Sequence, residues 1–287
     1  MYLVSLDFIL VIVSSTFCIL FIIIFYVVVI VKIMFVSIKT EKEIEKMRRA
    51  GKILVEIMNE IGKEVRPGID TLQLDKLAQE LVFARGGKPL FKGYGGGKNP
   101  FPATICASIN DEVVHGIPDS NRILNEGDIL KIDIGVEIDS YCSDMARTFP
   151  VGKISDEAKK LMEVTEKSFW NGIKKMKEGA MLSEYSKVVQ KTAEDAGFSV
   201  VKNLVGHGIG KKLHEDPQIL NYYDRSFPDL RLQAGMTLAL EPMINQGDFR
   251  TFIGKDGWVF KTTDGSLSAH YENTIVVTKK GVEVLTV

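Results

Sequence analysis

Five side chains in this 287-residue sequence are of types that grip divalent cations: Asp133, Asp144, His207, Glu241 and Glu272. Each lies in or beside an apolar, strand-like stretch. Asp133 sits in LKIDIGV, Asp144 in YCSDMARTF, Glu241 at the end of TLALEP and Glu272 in SAHYENTIVV. An ionised carboxylate in such surroundings is costly unless something compensates it. Taken singly, each acid has an ordinary explanation as a buried carboxylate with a hydrogen-bonded or ionic partner. Taken together, four carboxylates and an imidazole offer hard oxygen donors plus one nitrogen, a mix suited to two bridged divalent ions such as manganese, iron, cobalt or zinc. A structural zinc site would use Cys/His spacing. The three cysteines, Cys18, Cys106 and Cys142, do not offer it.

Two of the acids can be placed on paper. The run ILKIDIGVEI, then Asp139-Ser140, then YCSDMARTF reads as a β-hairpin. A turn at Asp139-Ser140 pairs Ile138 with Tyr141 and therefore Gly135 with Asp144. Side chains alternate with period two, so Asp133 shares the face of Gly135. Asp133 and Asp144 become diagonal neighbours with Cβ atoms about 7–8 Å apart. Two carboxylates this close repel unless a proton or a cation lies between them.

The chain has four histidines. His115 lies in DEVVHGIP, His207 in GHGIG and His214 in KKLHEDP, each beside a glycine or proline turn. The glycines around His207 let the backbone approach closely. His270 precedes Glu272 by two residues and points the same way on a strand, a position for a residue that supports the site from behind.

The elements that must hold these side chains are a mixture of helices and short strands. Residues 40–61 read as a helix opened by Thr40 with Glu43 at capping-box spacing. Residues 71–84 read as a second, with Thr71 as its N-cap and Gly86-Gly87 as its stop. Residues 93–102 (GYGGGKNPFP) form a loop, and 106–109 a short strand. After the hairpin of 128–138 and 141–149, residues 156–176 and 183–196 are helical. Strands are expected at 199–204, 237–240, 258–261 and 273–278. Helices lying between sets of strands make the class α+β. No internal repeat, low-complexity tract or second linker appears in the sequence, so residues 34–287 read as one catalytic domain.

Charge is balanced, 36 Lys+Arg against 37 Asp+Glu, which leaves no electrostatic footprint for nucleic acid. The odd cysteine count does not suggest a disulfide framework and fits a reducing compartment. Residues 1–33 differ from the rest. Residues 8–31 carry no charge and are long enough to span about 30 Å of hydrocarbon. Two readings stand side by side. Either this segment anchors the domain, with Lys32, Lys39 and Lys42 holding it on the cytoplasmic side, or the true start is Met34 and the upstream stretch is not part of the protein. Mass spectrometry of the native N-terminus would separate them.

VVHGIP, KIDIG, SDMARTF, GHGIG followed by LHEDP, LALEPM and SAHYENT, in this order, resemble the type I methionine aminopeptidases. The resemblance runs from about Ser37 to the C-terminus. It implies the pita-bread fold, an antiparallel sheet with flanking helices and pseudo-two-fold halves. It implies a metalloaminopeptidase that removes the N-terminal methionine of nascent polypeptides when the second residue is small. Asp133, Asp144, His207, Glu241 and Glu272 would hold two divalent cations (Co, Mn, Fe or Zn), with Asp144 and Glu272 bridging them. His115 and His214 would contact substrate, and Phe101, Cys106, Met243 and Trp258 would form the methionine pocket. Glu241 would relay the proton of the attacking water, His214 would bond the developing oxyanion and His115 would steady the leaving nitrogen.

The sequence departs from the family's usual pattern in a longer loop before Phe101, in Leu213 where an aromatic is frequent, and in His270 where glutamine often occurs. A cytoplasmic catalytic domain, a monomer and association with the ribosome fit such a function. Two other readings share the motifs. A proline-specific aminopeptidase or dipeptidase would use the same five ligands but usually carries a large N-terminal domain. A non-catalytic binding protein on this fold would have lost ligands, and all five are present.

Overall fold

The computed structural model describes residues 36–287. The expectations for residues 1–33, for Cys18 and for a start at Met34 lie outside the described residues. Among the described residues no helix is long and apolar enough to cross a membrane.

The first helix, α1, spans Glu41–Glu64. Glu43 reaches back to Thr40, accepting from its backbone N–H and from its hydroxyl at 2.8 Å each. Glu43 also accepts from the Tyr141 hydroxyl at 2.7 Å, which ties the helix start to the hairpin. These bonds, the one from the Thr40 backbone first, hold its carboxyl down at about 2. The second helix, α2, spans Thr71–Ala84. Its N-cap is Asp70, not Thr71: the Asp70 carboxylate accepts from the backbone N–H of Gln73 at 2.9 Å. Thr71 is the first helical residue, and its hydroxyl bonds the Asp119 backbone instead. A carboxylate satisfies free N-terminal N–H groups better than a hydroxyl already engaged elsewhere.

Helices α3 (Asp156–Ile173) and α4 (Ser183–Asp195) follow the hairpin, ending about three residues and one residue short of where their apolar spacing suggests. The hairpin itself is Ile129–Ile138 against Tyr141–Pro150, with Ile138 opposite Tyr141 and Gly135 opposite Asp144. Both turn residues take positive φ, 51° at Asp139 and 67° at Ser140. That is the backbone a two-residue hairpin connection demands.

The hairpin is the centre of a nine-stranded antiparallel sheet. Its order runs Lys88–Pro89, Ile129–Ile138, Tyr141–Pro150, Glu272–Val277, Thr237–Leu240, Gly206–Gly208, Glu215–Ile219. Cys106–Ile109 also pairs with Ile129–Ile138, and Val282–Val284 with Glu272–Val277. Two three-stranded sheets complete the fold: Ser199–Val200, Met243–Asn245 and Ser268–His270 in one, Glu112–Val114, Thr251–Ile253 and Phe260–Thr262 in the other. Several of these strands have only two or three residues. The run 199–204 is mostly loop, with a strand only at Ser199–Val200, and the strand expected at 258–261 starts two residues later, at Phe260–Thr262.

One face of the large sheet is covered by helices. Ile132, Ile134, Val136 and Ile138 pack in one cluster with Leu54, Ile57 and Ile61 of α1 and Leu74, Ala78 and Val82 of α2. Leu238, Leu240, Ile275 and Val277 pack in a second with Phe169 and Ile173 of α3 and Tyr185 and Val189 of α4. A helix pair therefore backs each half of the sheet. The residues between these positions in the strands turn to the opposite face, and the chemistry is there.

Candidate metal and substrate site

Directly paired residues of a sheet lie on one face, and so do residues two apart along a strand. Asp133 pairs with Ala146, and Ala146 with Glu272. Asp144 is two residues from Ala146. Asn273 pairs with Leu240, which sets Glu241 beside Glu272 at the strand end. His207 pairs with Ala239, two residues before Glu241. Five consecutive strands of one sheet thus each direct one predicted donor to the same face.

The resulting cluster is tight. One ligand atom each from Asp144, His207 and Glu272 lie within 4.8 Å of one another. His207 Nε2 is 3.8 Å from Asp144 Oδ2 and 3.7 Å from Glu241 Oε1. Asp133, Asp144, His207 and Glu272 are all buried. Asp133 Oδ1, Asp144 Oδ1 and Glu272 Oε1 have no hydrogen-bond partner among the described residues. Burial pushes the Asp144 carboxyl up to about 7. It pushes Asp133, Glu241 and Glu272 well above the carboxylate range, with the charge of Asp144 adding to each. Buried acids crowded together without cationic partners fit a bound cation, whose charge inverts this balance.

The imidazole is set for the same task. His207 Nδ1 lies 2.9 Å from its neighbour's carbonyl, Gly208 O, so Nδ1–H donates there and Nε2 keeps a lone pair facing Asp144 and Glu241. Metal-binding histidines are commonly fixed in this way. Burial first, and then the nearby His214, hold His207 down at about 3, which keeps it neutral and available as a donor.

The backbone allows this convergence at two glycines. A Cβ on Gly208 would stand 2.1 Å from Asp216 O, so no larger residue lets the strand beside His207 pass that close. A Cβ on Gly135 would meet Phe91 at 2.9 Å and Asp144 Oδ1 at 3.3 Å. Other contacts fix the acids from behind. Thr274 Oγ1 accepts from Asp144 N–H and donates to Asp144 O, both at 2.9 Å. Arg147 donates to Glu272 O at 2.6 Å and to Asn273 Oδ1 at 2.7 Å.

Most of the predicted substrate residues lie beside the cluster. The His214 ring centroid is 4.3 Å from that of His207. His115 has φ 61°, a backbone state uncommon outside glycine that histidine tolerates better than most residues. Its ring stands edge-on to Trp258 at 6.3 Å and to Phe260 at 5.7 Å. Burial lowers it to about 4. Phe101, Cys106 and Trp258 share one apolar cluster with Phe91 and Leu213, and Cys106 pairs directly with Asp133. Met243 packs elsewhere, with Val113, Val114, Val201 and Phe260.

Two contributors escape a reading of the sequence, and a third, His270, stands where its spacing from Glu272 places it. Tyr94, in the glycine-rich loop, places its hydroxyl 2.7 Å from His214 Nδ1. Lys39 forms a buried ion pair with Glu215, next to His214, at 2.6 Å. His270 is buried, and its Nε2 is 3.6 Å from Glu241 Oε2, so an imidazole flanks each oxygen of that carboxylate. Only His270 carried a signal, through its spacing from Glu272. The other two are long-range pairings.

A face of buried acids and neutral imidazoles beside an apolar cluster fits a metal-dependent hydrolase. Comparison with known proteins makes the class specific. The model of metallopeptidase family M24 matches residues 45–279. A methionine aminopeptidase of Clostridium perfringens is 48% identical over 251 residues, covering 88% of this chain and 98% of its own. The crystal structure of a methionine aminopeptidase from Rickettsia prowazekii superposes with a TM-score of 0.84 at 39% identity, covering 88% of this chain and 100% of its own. The chain belongs to metallopeptidase family M24, in its methionine aminopeptidase group. Its fold is the pita-bread fold. An Xaa-Pro dipeptidase from Bacillus anthracis, 24% identical, shares that fold with a TM-score of 0.68 over 87% of this chain and 61% of its own.

Proposed function

We propose that this enzyme removes the N-terminal methionine from newly made polypeptides whose second residue is small, using two divalent cations held by Asp133, Asp144, His207, Glu241 and Glu272. The observation that carries the reading is the convergence of these donors on one sheet face, with carboxylate oxygens buried and unpartnered. The identity of 48% to a methionine aminopeptidase supports the substrate. Asp144 and Glu272, on neighbouring strands at the centre of the donor set, are the residues suited to bridge the pair.

When bound, two such cations supply a water of lowered pKa and a Lewis acid for the scissile carbonyl. Manganese, iron, cobalt and zinc all accept this donor set. The protein's own groups do the rest. Glu241 lies at the end of its strand with its side chain partly open to the cleft, so it takes the proton of the attacking water and delivers it to the leaving nitrogen. His214 donates a hydrogen bond to the oxygen that becomes negative. His115, beside Trp258 and Phe260, steadies the leaving amide nitrogen. Phe101, Cys106 and Trp258 receive the thioether side chain. Such a pocket gains little from each methylene, so norleucine is also accepted. A newly made chain whose first methionine has a free α-amine is what this site would read, which fits a reaction in the cytoplasm.

Glu241→Ala tests the reading. Turnover of Met-Ala-Ser should fall by roughly 10²–10⁴-fold with the fold intact by circular dichroism. Full activity in that variant would remove the proton relay. Hydrolysis of Xaa-Pro peptides in preference to Met-Ala-Ser by the parent enzyme would contradict the substrate.

A further inference from the structure

We propose that Tyr94 sets the tautomer of His214, so that Nε2 of this imidazole presents an N–H to the reaction site. The inference rests on, and deepens, the assignment of His214 to the developing oxyanion. Tyr94 Oη lies 2.7 Å from His214 Nδ1, with the two rings edge-on at 5.1 Å. Among the described residues the Tyr94 hydroxyl has no other hydrogen-bond partner. A neutral imidazole has one protonated and one bare nitrogen. A phenol is a better donor than acceptor, and a bare ring nitrogen is a better acceptor than a phenol oxygen. The hydroxyl therefore donates to Nδ1, and the proton of His214 resides on Nε2.

The neighbouring ring is held the opposite way. His207 gives its Nδ1–H to Gly208 O at 2.9 Å and keeps Nε2 bare. Two imidazoles with centroids 4.3 Å apart are thus locked in complementary tautomers, one offering a lone pair and the other an N–H. The loop that carries Tyr94 is anchored well enough to do this. Tyr94 N–H donates to Phe91 O at 2.8 Å, and Phe101 N–H donates to Tyr94 O at 2.9 Å. Farther along, Trp258 Nε1 donates to Asn99 O at 3.2 Å and Asn99 Nδ2 to Asp256 O at 3.0 Å. Tyr94 is a positioning residue in this scheme: it acts through His214.

The test compares the full chain with Tyr94→Phe, which keeps the ring and removes the hydroxyl. In zinc-loaded, ¹⁵N-histidine-labelled protein, with His214→Ala to assign the signals, His214 should show a bare Nδ1 and a protonated Nε2. In Tyr94→Phe the two nitrogen shifts should move toward each other as the tautomers mix. On Met-Ala-Ser, kcat of Tyr94→Phe should fall roughly 5- to 20-fold with KM within about twofold, the size of one hydrogen bond. In a His214→Ala background the same substitution should cost nothing further. A protonated Nδ1 in the parent, unmoved shifts in Tyr94→Phe, or a full additional loss in the His214→Ala background would each overturn the proposal. If the shifts behave as expected but His214→Ala turns over normally, the tautomer assignment stands and the oxyanion role of His214 falls.

Discussion

At the scale of single residues, the acids are the unusual feature. Asp144 is pushed up to about 7 from an ordinary 3.8 by burial. Between those two values Asp144 of the cation-free folded chain keeps a proton that the unfolded chain has lost, so its contribution to stability falls as pH rises. The buried histidines, lowered to about 4 at His115 and about 3 at His207 and His270, contribute in the opposite sense until the unfolded imidazoles are neutral, so the acids dominate only above about pH 6.5. Asp133, Glu241 and Glu272 are shifted in the same direction and extend the effect to higher pH. Bound cations reverse it, because the same acids must lose their protons to bind and binding stabilises the folded state. Thermal melting with a chelator should thus give a higher Tm at about pH 7 than at about pH 8.5, a window above the ordinary histidine value. With excess manganese the order should invert. The same order with and without metal would mean that these acids are not the ligands.

At the scale of elements, each donor depends on the path of its strand. Gly208→Ala places a methyl 2.1 Å from Asp216 O, and the strand carrying His207 must shift. Overpacking of this kind should destabilise by about 2–3 kcal/mol in urea titration and weaken cation binding in the same variant. The segment before α1 has its own role. Lys39, with a side chain only 4% exposed, pairs with Glu215 beside His214. Lys39→Met leaves that carboxylate without its cation, held only by the Lys212 N–H at 3.2 Å, and should cost about 3 kcal/mol. The double variant Lys39→Met with Glu215→Met should recover part of the loss, as read by the same titration. The hairpin was legible in the sequence down to its register because alternation and a two-residue turn are local: Gly135 does face Asp144. The helices were legible from their spacing to within a few residues. The three-residue strands at Met243–Asn245 and Ser268–His270 were not, because strands so short leave no period to read. Tyr94 and Lys39 were hidden for a related reason. Their partners lie 120 and 176 residues away, and neither makes a motif with them.

At the scale of the molecule, the sheet joins two halves, each backed by its own helix pair. Asp133 and Asp144 come from the hairpin backed by α1 and α2. His207, Glu241 and Glu272 come from the strands backed by α3 and α4. Neither half holds enough donors for the proposed pair of cations, so the site exists only when both are folded together. The most direct measurement is anomalous scattering at the manganese edge from crystals grown with the metal. Two peaks about 3.5–4 Å apart, flanked by Asp144 and Glu272 and each reached by further donors from the other three strands, are the predicted result. Crystals in which these five side chains hold no manganese, while it binds elsewhere on the protein, would contradict the account.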